Sequence, residues 1–144
     1  MDAEPIEARS SALRRVLLTG LAYFVIGELF SFLAGAVSGQ ARIAVRLSAW
    51  LISAAIFASH IRYEYARMNN PPGATAWRAA TAVALGAFGV ALVAYVRSII
   101  TSPDHHTSMV LTIIAWPLLA GIPAFLVALV ATVIAGMVAK RFSA

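Results

Sequence analysis

Four long apolar runs, separated by short polar segments, dominate the hydrophobic pattern of this chain of 144 residues. The runs predict spans at about residues 16–37, 43–66, 77–100 and 105–138, after a polar tail at residues 1–15. Each run has at least the roughly 20 residues that a helix needs to cross the hydrocarbon core of a bilayer. The pattern therefore predicts an all-α membrane protein, a single integral membrane domain folded as a four-helix transmembrane antiparallel bundle.

A line of polar side chains follows the second run. Plotted at about 100° per residue, its members fall within an arc of about 60°: Arg42, Arg46, Ser53, His60, Glu64 and Arg67. Lipid tails cannot hydrogen-bond to such a line, so it should face protein, water or headgroups. We therefore expect the second helix to be the one around which the others pack.

Small residues mark one face of the third and fourth runs. On the third run they are Ala80, Ala84, Ala87, Ala91 and Ala94. Small residues let helices approach closely in a membrane, and this chain carries more of them than one bundle needs. We expect a homo-oligomer or a larger membrane-protein partner. In the fourth run Pro117 and Pro123 bracket Gly121, which predicts a bend near the middle.

Composition supports the membrane assignment and narrows the chemistry. The chain is 61% hydrophobic and 12% charged, about half the charge fraction of a soluble domain. It has no cysteine, which excludes disulfides, thiolate metal sites and cysteine nucleophiles. The net charge is +5, but the basic residues flank apolar spans instead of forming a soluble surface. We expect anionic lipid headgroups as their partner and no nucleic acid.

The basic residues also predict an orientation. Eight of the eleven lysines and arginines lie in the first tail, around the second loop and near Ala144. The positive-inside rule then places both termini in the cytoplasm, in a cell membrane of the bacterial inner-membrane type. The first run exceeds the apolar core of a signal peptide, about 7–15 residues, so we expect it to remain as a span.

Glu28 lies within the first apolar run, where a carboxylate is expensive. One hypothesis is a proton or cation site; the other is a neutral acid hydrogen-bonded between helices. Its helix face also carries Ser31, and its depth matches that of Ser53 on the second run. The side chain of Arg46 should point away from it. We expect Glu28 to face the first–second helix interface, mostly protonated, and to donate to Ser53.

His60 and Glu64 are four residues apart, so they share a helix face near the membrane edge. A hydrogen bond between them is the favoured interpretation; the alternative is a proton entry or half of a metal site, which lacks a third ligand. Asp104, His105 and His106 are weak metal candidates, because adjacent residues do not share a helix face. We expect no metal and no cofactor.

Two function hypotheses remain. The first is an accessory or structural membrane component, favoured by the small-residue faces. The second is a small transporter, flippase or proton/cation path that uses Glu28 and the polar face of the second span. An enzyme is not favoured, because no serine has a glycine-flanked nucleophile motif with a histidine in reach and no glycine-rich phosphate loop occurs.

Residues 13–20, LRRVLLTG, open a four-span chain whose size and layout resemble the GtrA-like membrane proteins. The resemblance covers the whole chain and implies a role in moving lipid-linked sugars. That family's asparagine-rich, aromatic helix ends are absent: residues 59–65 read SHIRYEY and residues 137–142 read MVAKRF.

Overall fold

A computed structural model of the chain describes the backbone of residues 6–101 and 106–142 and the side chains of residues 10–101 and 111–141. The described part contains helices and no strand. Its elements are α1 (Ile6–Ala36), α2 (Gly39–Arg62), a π-helical turn (Tyr63–Arg67), α3 (Pro72–Thr101) and α4 (His106–Phe142).

Four segments are long and apolar enough to cross a membrane: Ser10–Ala36, Gly39–Arg67, Pro72–Thr101 and Leu111–Arg141. The prediction of an all-helical chain with four membrane-length helices is therefore confirmed. Large apolar side chains cover the outside of these helices; Leu51 is 73% exposed and Ile100 is 76% exposed. A surface of this kind is stable against lipid tails and costly in water.

The helices extend beyond the apolar runs that predicted them. The apolar run marks only the section in hydrocarbon, and a helix continues into polar sequence until a breaker ends it. α3 begins at Pro72 instead of near residue 77. Proline fits the first helical position because its missing N–H would have no partner there, and the Thr75 N–H donates to the Pro71 carbonyl at 3.1 Å.

The expectation that the second helix is the centre of the fold is wrong: α3 takes that position. α3 packs against α4 and α1, whereas α2 packs mainly against α1. In the most apolar segment of α2 no residue is buried, compared with 28% in that of α3. Close packing needs small residues, and α3 is rich in alanine and glycine, whereas α2 carries Trp50 and Leu51 on exposed positions.

The interface between α1 and α3 is closest at Gly86. A Cβ atom at this glycine would lie 2.4 Å from Tyr23 Cβ and 3.0 Å from the Gly20 carbonyl oxygen. Real Cβ atoms do not approach other atoms so closely, so only glycine lets the two backbones meet here. Further contacts follow in the same order along both helices: Gly20 lies beside Ala82, and Gly27 lies beside Val90.

The alanine face of α3 is used inside the chain. A Cβ atom at Gly121 of α4 would lie 3.2 Å from the Ala84 Cβ, and Ala91 is only 4% exposed. Leucine at Ala91 would therefore disturb the monomer's own packing, whereas Ala94 on the same face is exposed. The expectation that this face exceeds what one bundle needs stays a prediction. The predicted oligomer itself stays a prediction. Pro117 and Pro123 lie inside a continuous α4, and the predicted bend there also stays a prediction.

Candidate functional site

Glu64 is the most deeply buried charged side chain in the described part of the molecule, with no exposed surface. Its Oε1 accepts from Arg15 Nε at 2.9 Å, and its Oε2 accepts from an Arg78 Nη at 2.8 Å. Asn70 Nδ2 also donates to Oε2 at 2.7 Å. We call these four residues the Glu64 cluster. It joins α1, the π-helical turn, the following loop and α3 at one end of the molecule, which we call the Asn70 end.

The π-helical turn gives Glu64 its position. The Met68 N–H donates to the Tyr63 carbonyl at 3.1 Å, a bond across five residues that widens the last turn of the second span. The chain then leaves the helix through Asn69, whose φ of 54° is in the left-handed region that asparagine tolerates better than most residues. This geometry turns the Glu64 carboxylate toward α1 and α3 and brings Asn70 back onto it.

The predicted hydrogen bond between His60 and Glu64 does not form. Both Glu64 oxygens are engaged by the cluster, because bonds from charged guanidinium groups are stronger than a bond from an imidazole. His60 Nδ1 instead lies 3.3 Å from Thr19 Oγ1 on α1. His60 Nε2 is buried and has no hydrogen-bond partner among the described residues.

Glu28 does not face the α1–α2 interface, so that expectation is wrong. Its Oε2 accepts from an Arg97 Nη on α3 at 2.9 Å, and no bond to Ser53 forms. The side chain of Glu28 is 19% exposed and that of Arg97 is 60% exposed. Arg97, and not Arg46, is the cationic partner of Glu28.

Ser31 and Arg46 both line a groove between α1 and α2. The groove has a volume of about 460 Å³ and lies at the other end of the molecule, near Ser38; we call it the Arg46 groove. Arg42 also lines it. Glu28 does not, so the structure separates the two halves of the predicted binding region. Ser53 is half-buried on α2 and lines neither this groove nor the Glu64 cluster.

A second groove of about 530 Å³ lies between α1 and α2 near the Asn70 end. Its lining is mostly apolar, with Arg15, Ser59 and His60 at its polar side. Of the predicted polar line on the second span, Arg42 and Arg46 line the Arg46 groove, His60 lines the second groove and Glu64 lies in the cluster, whereas Ser53 belongs to none of the three. The alignment is lost at Glu64, because this residue lies in the π-helical turn, where successive residues are less than the roughly 100° of an α-helix apart.

No group of three or more histidine or acidic side chains that could hold a metal occurs among the described residues. The side chains of Asp104, His105 and His106 lie outside the described residues, so the metal hypothesis for them stays a hypothesis. The two described acidic side chains are bound by arginines of other helices, an arrangement that links the helices.

Sequence reasoning missed the arginine partners. Arg15 and Arg78 are among the eight basic residues that predict the orientation, and both lie near the Asn70 end with Glu64. Arg97 is about 6 Å along α3 from Thr101, and Glu28 about 12 Å along α1 from Ala36. Depth alone leaves about 6 Å between them, but α1 and α3 run in the same direction and an arginine side chain tilts toward its helix N-terminus, which brings the Arg97 guanidinium to the depth of Glu28.

No family model, curated protein or solved structure matches this chain. The resemblance to GtrA-like proteins thus stays an expectation from residues 13–20 and the four-span layout.

Proposed function

We propose that this chain is a small multi-pass membrane protein with an accessory or structural role, in a bacterial inner membrane with both termini in the cytoplasm. One observation carries the proposal. Glu28 and Glu64 are the two carboxylates among the described side chains, and each is bound to arginine on another helix. A carboxylate that carries protons or cations has to exchange them, and arginine partners oppose that exchange.

Purification and flux measurements test this role together. The tagged protein is crosslinked in the membrane and then solubilised in a mild detergent. It should copurify with a second, differently tagged copy or with a fixed membrane partner. In liposomes with an enclosed pH-sensitive dye, it should leave the proton permeability unchanged. Proton or cation flux that the Glu28→Gln variant abolishes, in a protein that still folds, would contradict the proposal and favour an ion path.

A second candidate function is movement of lipid-linked substrates. The two grooves between α1 and α2 favour it, because they lie toward opposite ends of one helix pair and each is bordered by arginine. Such a path would let a charged headgroup pass along the protein while its tail stays in lipid. A membrane-impermeant reductant added outside destroys the fluorescence of labelled lipids in the outer leaflet only. Reconstituted protein should then accelerate the loss of fluorescence from lipids that start in the inner leaflet.

A further inference from the structure

We propose that the Arg46 groove binds the phosphate of an anionic glycerophospholipid. The inference holds for an accessory component as well as for a transporter, because it concerns a resident lipid and no transport step. It begins from charge. Arg42 and Arg46 are one helical turn apart and both line the groove, and no carboxylate among the described residues lines it.

Neither arginine is paired with a carboxylate among the described residues. Arg42 Nε donates to the Val37 carbonyl at 3.0 Å, a neutral acceptor that fixes the side chain at the start of α2. Arg46 has no hydrogen-bond or ion-pair partner among the described residues, and it is exposed. Glu28 is next to a groove residue in sequence, but Arg97 holds its carboxylate on the α3 side. Two like charges this close repel each other, so an anion between them would be stabilising.

The position of the groove selects a lipid as the source of that anion. Along α2, Arg42 is about 4.5 Å and Arg46 about 10 Å from the first helical residue, Gly39. This depth corresponds to the boundary between headgroups and hydrocarbon. Guanidinium groups there can bind a lipid phosphate while the acyl chains stay in the membrane.

The walls suit a molecule with a polar head and apolar chains. Ser31 offers a hydroxyl beside the arginines, and Phe30 and Trp50 supply apolar surface. Trp50 is 76% exposed, so an acyl chain has direct access to it. At Gly35 an added Cβ would meet no atom within 4 Å, which shows that the groove is open there.

Quenching of Trp50 by brominated lipid tests the inference. The chain has three tryptophans, so Trp77→Phe and Trp116→Phe leave Trp50 as the only emitter. This background is reconstituted in phosphatidylcholine vesicles with a minor fraction of phosphatidylglycerol, and the bromine is placed on one lipid or the other. We expect brominated phosphatidylglycerol to quench Trp50 about fivefold more than its fraction of the bilayer predicts. A factor of this size is the preference for anionic over neutral lipid that one arginine gives at a membrane surface.

Variants locate the effect. Arg46→Gln should reduce the quenching to the level of random mixing. Gly35→Leu should also reduce it, because leucine fills the groove and leaves both arginines in place. Arg14→Gln is the matched control: Arg14 is an exposed arginine on α1 toward the Asn70 end, and its loss should leave the quenching unchanged. Circular dichroism of each variant checks that it is folded.

Inorganic phosphate added to the vesicles distinguishes the two sources of the anion. If the site is for a lipid, the quenching should persist in phosphate as it does in sodium chloride of equal ionic strength. A loss that occurs only with phosphate would assign the groove to soluble phosphate and overturn the proposal. Random-level quenching in the Trp50-only protein would also overturn it, as would full enrichment in Arg46→Gln. An equal loss in Arg14→Gln would attribute the enrichment to overall charge and not to the groove.

Discussion

Glu64 and Glu28 both bind arginine, but the protein buries the two pairs to different extents. Glu64 is fully buried between Arg15 and Arg78, whose side chains are 24% and 20% exposed. Arg97, the partner of Glu28, is 60% exposed. It lies about 6 Å from the end of α3, within reach of the headgroups and their water. Removing one member of a buried network leaves uncompensated charge, whereas water and salt screen an exposed pair. The two carboxylates should therefore differ strongly in their contribution to stability.

Glu64→Gln should lower the free energy of unfolding by about 3 kcal/mol, because two partly buried guanidinium groups lose their counter-ion. The measurement is a reversible denaturation titration with sodium dodecyl sulfate in mixed micelles. Arg62→Gln is the control, since Arg62 is an exposed residue only two positions away; it should change the free energy by less than about 0.5 kcal/mol. Equal effects of the two substitutions would show that the cluster does not hold the helices.

Glu28 and Arg97 should couple weakly. A double-mutant cycle with Glu28→Gln and Arg97→Gln should give a coupling free energy of about 0.5–1 kcal/mol, the range of exposed ion pairs. The same denaturation titration measures it. A coupling of several kcal/mol would mean that the exposed side of this pair faces lipid and not water.

At the residue scale, the sequence identified the costly carboxylates but not their partners. Glu28, His60 and Glu64 stand out because charge is rare in apolar runs. Which side chain meets them depends on the order in which helices pack, and on the π-helical turn that reorients Glu64. A helical projection of one segment shows neither the packing order nor the π-helical turn. The hydrogen bonds that it predicted, between His60 and Glu64 and between Glu28 and Ser53, are therefore wrong.

At the element scale, the apolar runs predicted the helices, while the packing order depended on small residues. Gly20 and Gly86 let the backbones of α1 and α3 approach closely. The polar line on α2 is the more conspicuous pattern in the sequence, but it does not determine which helix is central. In lipid no hydrophobic effect drives helices together, so they associate best where small residues let their backbones approach closely. α3 is rich in such residues, which explains why α3 and not α2 is central.

Gly86→Ala should destabilise the protein by about 1–3 kcal/mol, because the new Cβ would overlap Tyr23 and the Gly20 backbone and force α1 away from α3. Gly35→Ala is the matched control on α1, where the added atom meets nothing within 4 Å. It should be neutral or stabilising by up to about 1 kcal/mol, since alanine favours a helix. Thermal unfolding in detergent compares the two. A stable Gly86→Ala protein would contradict the close packing of α1 on α3.

At the scale of the whole molecule, apolar surface and charge agree on a membrane protein. Side chains such as Trp50, Leu51 and Ile100 are exposed along the helices, whereas the Glu64 cluster is buried at one end. Length and hydropathy along the sequence were enough to predict the four membrane-length helices. They do not report which helix faces which, and that is where the predictions of the fold and of the site failed.

Cysteine accessibility measures the central claim, a chain that crosses the membrane four times with both termini in the cytoplasm. The chain has no cysteine, so single cysteines at Gln40, Asn70 and Ala144 react without background. In intact cells a membrane-impermeant maleimide should label Gln40→Cys and leave Asn70→Cys and Ala144→Cys unlabelled until the membrane is permeabilised. Labelling of Asn70→Cys in intact cells, or of Gln40→Cys only after permeabilisation, would contradict the account.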